Sequence, residues 1–303
     1  MTLLQAIVLG IVQGLTEFIP VSSTAHLVFA ARLVSLYAGD DKTLQAQQTT
    51  ATIAVIQLGT LLAVIIYFAV DIINILRAFI SDHLALLRRK NPGPMKLSHD
   101  AWLGWLVIIG SVPVAVVGLL FKKQIEGTFT KNLWVIATMM IVVAVLLAFA
   151  ELVGKRVRDM QQLGIRDALA VGSAQCLALI PGSSRSGSTI MAGLFAGETR
   201  ETAARFSFLL SIPAIAASGL LELKEAIHKV PHNSYAPLVV ATIVSGIVGY
   251  ASIWFLLRYL RTHTTGVFII YRMIVGGLIL LALSVGYISG NISPRTPTDG
   301  GGP

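Results

Sequence analysis

The run Gln13-Gly-Leu-Thr-Glu17-Phe-Ile-Pro20-Val-Ser22-Ser23-Thr24-Ala-His26, with its later companion Pro181-Gly182-Ser183-Ser184-Arg185-Ser186-Gly187-Ser188-Thr189, decides how this chain folds. Each run sets an acid or a guanidinium and several hydroxyls inside stretches that otherwise read as lipid-soluble. Unpaired polar groups are costly in hydrocarbon, so they persist where they line a buried or water-filled site. Each run also carries a proline, which removes a backbone donor and biases the preceding residue away from helix. Broken backbone at membrane depth is tolerated only inside protein or along a cavity. The two runs therefore read as re-entrant helix–loop–helix hairpins rather than as ordinary spans kinked at proline.

Outside the hairpins, apolar runs of about 20 residues, the length a bilayer crossing needs, cover roughly 50–70, 102–121, 132–152, 203–221, 237–257 and 267–289. The first of these is expected to extend past Asp71 to about 80 as an interfacial helix. Segments 3–19, 24–37, 166–180 and 187–197 are shorter and come in pairs hinged at Pro20 and Pro181. The expected fold is an all-α integral membrane protein with about six transmembrane helices and two re-entrant hairpins. Composition agrees: of 303 residues 55% are hydrophobic and only 13% charged, and the mean hydropathy is +0.77. A soluble surface needs far more charge, and the period-two alternation of a β-barrel is missing. No Lys or Arg precedes the first apolar run and no Ala-x-Ala site follows it, so it is expected to belong to the fold.

The net charge of +8 does not point to nucleic acid, because the basic residues cluster between apolar runs as they do in cytoplasmic loops. Cys176 is the single cysteine, which excludes an intramolecular disulfide and a cysteine-based metal site. If each hairpin returns to its own side, loops 77–100, 154–166, 198–205 and 258–265 share a face bearing thirteen Lys and Arg, against eight on the other face. The positive-inside tendency then puts the first face in the cytoplasm and both termini outside. One hairpin dips in from each side, which is the layout of an inverted-topology repeat, about 1–155 and about 156–292, within a single polytopic domain 1–292. Phe18-Ile-Pro20-Val-Ser-Ser23 echoes Leu179-Ile-Pro181-Gly-Ser-Ser184. Residues 293–303 read as a disordered tail.

The chemistry lies in the two turns. Gln13 and Glu17 are one helical turn apart on one face. Ser22 or Ser23 suits the N-cap of the helix carrying His26, but capping does not account for an acid, a histidine and three hydroxyls together. In the second run, Pro181-Gly182 makes a tight turn into a helix whose N-terminus favours phosphate. Arg185 adds a planar fork of donors to Ser184, Ser186 and Thr189. Combined, the runs supply a serine nucleophile, a base or acid in His26 or Glu17, and anion stabilisers, the parts a phosphoryl transfer needs. Glu17, with Gln13 and chiefly the substrate's own phosphate, could hold a divalent cation. Arg272, an arginine inside an apolar run, is a further phosphate-binding candidate or an interfacial anchor.

Gln13-x-x-x-Glu17-Phe-x-Pro-Val-Ser-Ser-Thr-x-His26 together with Pro181-Gly-x-Ser-Arg-Ser-Gly-x-Thr189 resembles the signature pair of the undecaprenyl-diphosphate phosphatases, bacterial membrane enzymes tied to bacitracin resistance. Val55-Ile-Gln57-Leu-Gly59, Phe206-Ser-Phe-Leu-Leu210 with Pro213, and Ile270-Tyr271-Arg272 are similar to further family segments. The resemblance implies removal of the terminal phosphate from undecaprenyl diphosphate, which recycles the lipid carrier of cell-wall synthesis. It also implies the bacterial inner membrane and Mg2+ or Ca2+. It carries Gln13 and Glu17 onto the family's acidic motif, Ser22, Ser23, Thr24 and His26 onto the first polar turn, and Ser184, Arg185, Ser186 and Thr189 onto the second. Many family members have Glu where Gln13 stands, so this chain has one negative charge fewer for a metal. In the expected mechanism Ser23 attacks the terminal phosphorus and His26 accepts its proton or is aligned by Glu17 to do so; the rival makes His26 the nucleophile. The alternative function is a transporter or flippase of a phosphorylated polyprenyl lipid, since inverted repeats with broken helices also build transporters. Oligomeric state is left open, a homodimer included.

Overall fold

A computed structural model describes residues 1–34, 36, 42–88, 97–121 and 132–288. The tail 293–303, Asp40, Asp41 and the loop cations Arg89, Lys90, Lys96, Lys122, Lys123 and Lys131 lie outside the described residues.

Helix α1 (Leu3–Phe18) opens on a capping box between Thr2 and Gln5 and ends where Ile19 turns extended ahead of Pro20, as a residue before proline prefers. After the turn, α2 (Ser23–Leu33) leaves again. Then follow α3 (Lys42–Tyr67), α4 (Ala69–Arg88), α5 (His99–Leu120) and α6 (Leu133–Val153). The second broken pair is α7 (Ile165–Gln175), extended by a 3-10 turn Cys176–Leu179, and α8 (Arg185–Phe195). The chain closes with α9 (Arg200–Lys229), α10 (Tyr235–Leu260) and α11 (Gly266–Ser284).

Among the described residues, six stretches are long and apolar enough to cross a membrane: Gln48–Tyr67, His99–Leu120, Leu133–Val153, Arg200–Leu221, His232–Leu260 and Gly266–Ser284. They are the six runs expected from sequence, with ends shifted by a few residues, and the chain is a multi-pass membrane protein. By contrast α1 has 16 residues and α2, α7 and α8 have 11 each. At about 1.5 Å per residue none crosses a core of about 30 Å, a length compatible with re-entrant hairpins. One boundary differs from expectation. The first span stops at Tyr67, and a separate helix, α4, runs on to Arg88 with no fully buried residue.

The spans turn large apolar side chains such as Leu119, Leu152 and Ile247 outward. Between helices, where lipid leaves no hydrophobic drive, small residues let backbones meet. A Cβ on Gly172 would fall 2.1 Å from the Gly110 carbonyl oxygen, so α5 and α7 touch there. A Cβ on Gly59 would fall 2.0 Å from the Thr242 oxygen, which seats α3 on α10. Beneath the first turn, Phe18 meets Phe208 edge-on at 5.2 Å, within a buried cluster that includes Phe68, Ile190 and Leu194. This cluster joins α1, α3, α8 and α9 through Phe18, the residue after Glu17.

Polar contacts gather loops 154–166, 198–205 and 258–265 at one end of the bundle. Arg158 forks onto both carboxylate oxygens of Asp167 at 2.6 Å, Arg261 donates to Glu201, and Glu151 accepts from Arg156, Arg200 and Thr265. Glu198, in the elbow between α8 and α9, is fully buried, and neither carboxylate oxygen has a hydrogen-bond partner among the described residues. Burial, and after it the Asp167 charge, push its carboxyl up to about 7, while Arg158 pulls the other way. The folded chain thus holds this proton more tightly than the unfolded one. Its contribution to stability is full below the ordinary carboxylate range and is lost as pH rises through about 7. Thermal unfolding in detergent is expected at a lower temperature at pH 8 than at pH 6, and Glu198→Gln should flatten that difference. An identical pH dependence in the variant would remove Glu198 as its source.

Candidate active site

Glu17 lies buried in the last turn of α1. Its Oε2 accepts from Gln13 Nε2 at 2.8 Å, and its Oε1 accepts from Gln57 Nε2 of α3 at 3.0 Å. The Arg185 guanidinium pairs with the same Oε1 from 168 residues away in sequence. Gln13 Nε2 also reaches Thr60 Oγ1 at 3.4 Å, and the Thr60 hydroxyl donates to the Gln57 carbonyl at 2.7 Å. A carboxylate out of water needs such company, a counter-charge and donors on both oxygens. Neither Gln57 nor Thr60 is a site candidate from sequence. The available signal was two polar residues three apart, hence on one face, inside an apolar span.

The backbone of both turns is strained. Ser22 has φ +79° and Ser184 +67°, with Gly182 at +92°. Positive φ is uncommon for serine, and such positions persist where the surroundings hold them. A Cβ on Gly182 would fall 2.2 Å from the Ile136 oxygen, so glycine lets this turn press against α6. Ser184 caps α8: its Oγ accepts from the Gly187 N–H at 3.1 Å and lies 3.2 Å from Ser186 Oγ. The Ser186 hydroxyl donates to the Ile19 carbonyl of the first turn at 3.4 Å. Ser184, Arg185 and Ser186 therefore surround the positive end of a helix that faces α1. Ser22 does not cap α2 with its side chain; its hydroxyl, like that of Ser183, is buried with no hydrogen-bond partner among the described residues. Ser23 opens α2 half-buried, and Thr24 beside it is exposed.

Two candidates take other places. Thr189 is fully buried; its hydroxyl donates to the Arg185 carbonyl at 2.8 Å and shares a 2.5 Å bond with Ser207 of α9. It ties α8 to α9 and has no free side toward a phosphate. Arg272, also with no exposed surface, donates to five carbonyls: Met140 at 3.1 Å, Met139 at 3.3 Å, Pro20 at 3.3 Å, Gly182 at 3.0 Å and Ser183 at 3.1 Å. Turn carbonyls without helical partners take up its guanidinium in this structure. Arg272 clamps both prolyl turns to α6.

His26 is held at both ring nitrogens. Nδ1 lies 2.7 Å from the Ser22 carbonyl and Nε2 2.6 Å from the Tyr271 hydroxyl. Glu17, whose oxygens are occupied by Gln13, Gln57 and Arg185, does not align it. Among the described residues, no three His, Cys, Asp or Glu side chains gather around one point. Glu17 is the lone carboxylate of the site, so its donor set suits a hard cation only where substrate phosphates complete the shell.

Comparison with known proteins agrees with this architecture. Residues 6–278 match the family described as "Bacitracin resistance protein BacA". The chain is 49% identical over 281 residues to a protein of Syntrophobacter fumaroxidans, covering 92% of this chain and 97% of that one. It is 46% identical over 292 residues to one of Mycolicibacterium gilvum, covering 95% and 99%, and 47% identical over 296 residues to one of Chloroherpeton thalassium, covering 94% and 98%. All three relatives bear the name "Undecaprenyl-diphosphatase".

Proposed function

The chain belongs to the BacA bacitracin resistance family, and on that premise we propose that it hydrolyses undecaprenyl diphosphate to undecaprenyl phosphate and inorganic phosphate. The observation that carries the reading is the buried Glu17–Arg185 pair, which brings the two strained turns to a single point. A polar centre of this kind between membrane helices suits an anionic head group whose lipid tail stays among the apolar faces.

Arg185 and the N-terminal amides of α8, with Ser184 and Ser186, bind the terminal phosphoryl oxygens. Ser23 Oγ forms a bond to the terminal phosphorus as the anhydride oxygen leaves with undecaprenyl phosphate. The Ser23 proton passes to His26, three residues on and so on the same face of α2. Water then attacks the phosphoserine, releasing phosphate and restoring the hydroxyl. Ser22 and Thr24 flank the nucleophile and complete the binding turn. A divalent cation, Mg2+ or Ca2+, would be held by Glu17 with Gln13 and by the substrate's phosphates, and would neutralise charge on the diphosphate.

The enzyme works in the bacterial inner membrane with both termini outside, a layout supported by the thirteen Lys and Arg of loops 77–100, 154–166, 198–205 and 258–265 against eight on the other face. The hairpins enter from opposite sides as halves of an inverted repeat. Detergent-solubilised protein is expected to release phosphate from undecaprenyl or farnesyl diphosphate in the presence of divalent metal. Acid quenching during turnover should trap phosphate on the peptide holding Ser23. Phosphate on His26 would replace Ser23 as nucleophile, and no release by folded protein would favour a transporter.

A further inference from the structure

Tyr271 stands one residue before the clamp Arg272 on α11, and its hydroxyl meets His26 Nε2 at 2.6 Å across 245 residues of sequence. The two rings lie nearly parallel, 14° apart, with centroids at 5.6 Å. On the other side of the imidazole, Nδ1 faces the Ser22 carbonyl at 2.7 Å. A carbonyl oxygen can only accept, so Nδ1 carries the hydrogen. In the neutral ring Nε2 is then the lone pair, and the Tyr271 O–H donates to it. Once the ring takes a proton, Nε2–H becomes the donor and the same phenol oxygen accepts. A hydroxyl serves both states without moving, which a carboxylate or an ammonium partner could not do.

Tyr271 is also well anchored. Its neighbour Arg272 is tied by five bonds to α6 and to both turns, which fixes the backbone that carries the phenol. Tyr271 itself is exposed while Arg272 is buried, so the two side chains leave α11 in different directions. A plain interfacial tyrosine would need neither the short bond to Nε2 nor the stacked ring.

We propose that Tyr271 is a positioning residue for His26: its hydroxyl holds the basic nitrogen in place, covers it between turnovers, and steadies the ring in both protonation states. This role rests on the diphosphatase reading for its kinetic consequence but not for its structural one. Tyr271→Phe keeps the stacked ring and removes only the hydroxyl. It is expected to lower kcat about tenfold, the scale of one hydrogen bond, with KM within about threefold because Arg185 and the α8 turn still bind phosphate. It should also displace the limb of the pH–rate profile that reports His26. In a His26→Ala background the same change should add little, since Tyr271 acts through the ring.

A second readout needs no activity. Diethyl pyrocarbonate attacks an imidazole nitrogen bearing a lone pair, which is the atom Tyr271 covers. Mass spectrometry of the full chain in detergent should find His26 modified about fivefold faster or more in Y271F, and slower than exposed His232 in the unmutated protein. Wild-type kcat and wild-type modification in folded Y271F would overturn the assignment. A penalty that multiplies in full onto H26A would overturn it as well. If Y271F does not accumulate folded, equal modification of His26 and His232 in the unmutated protein is the overturning result. Failure of the diphosphatase reading would appear separately, as no phosphate release by the unmutated protein, and the modification rates would then decide Tyr271 alone.

Discussion

Arg185→Ala is expected to lower kcat/KM for phosphate release by about a thousandfold, the cost of removing a preorganised donor from developing phosphoryl charge. Arg185 opens α8, and its guanidinium faces the first turn through Glu17. Its loss removes a fork that a point charge does not replace, so Arg185→Lys should recover only part of the rate. A second effect is separable from the first. Without Arg185, the Glu17 carboxylate stays buried with two amide donors and no counter-charge, and breaking such a pair commonly costs about 3–5 kcal/mol. The double variant Arg185→Ala with Glu17→Gln should therefore regain thermal stability over R185A while remaining inactive. An R185A protein that is folded and keeps more than about a tenth of the activity would remove Arg185 from the chemistry.

Arg272→Met should be strongly destabilising, lowering stability by about 3 kcal/mol or more. The turn carbonyls of Pro20, Gly182 and Ser183 lose their side-chain donor. A buried carbonyl left without a donor costs free energy comparable to a lost hydrogen bond. The expected results are a lower thermal midpoint in detergent and a fall in phosphate release, because both turns lose their common anchor. Arg272→Lys should be intermediate: it keeps the charge, but one ammonium cannot span acceptors on both turns and α6. If Arg272→Met were as stable as the unmutated protein and lost only phosphate affinity, the clamp would be wrong and direct phosphate binding would return.

Much of the fold was legible because its causes are local. An apolar run of about 20 residues has one economical home, and a proline inside a shorter run breaks the helix wherever the chain lies. The break at Phe68 was not legible, since no proline or glycine marks it and α4 continues the helical pattern. In the site, Glu17 and Arg185 were visible as costly charges among apolar residues. Thr189 and Arg272 were visible too, but their tasks were not, because a hydroxyl or a guanidinium binds whichever acceptor folding delivers to it. Gln57 and Tyr271 were named only within segments of family resemblance, and Thr60 not at all, being residue types that also occur singly on membrane helices without consequence.

Hydropathy, prolines and charge placement suffice by themselves to make this chain a helical membrane protein with two polar turns able to meet a phosphate. They act within one helix or one turn, so they need no knowledge of distant residues. Which donor meets which acceptor was settled only when the helices packed: Arg185 on Glu17, Arg272 on five carbonyls, and Tyr271 on His26. Those partners lie between 89 and 252 residues apart, and angles and distances between side chains on separate helices exist only once the bundle has closed.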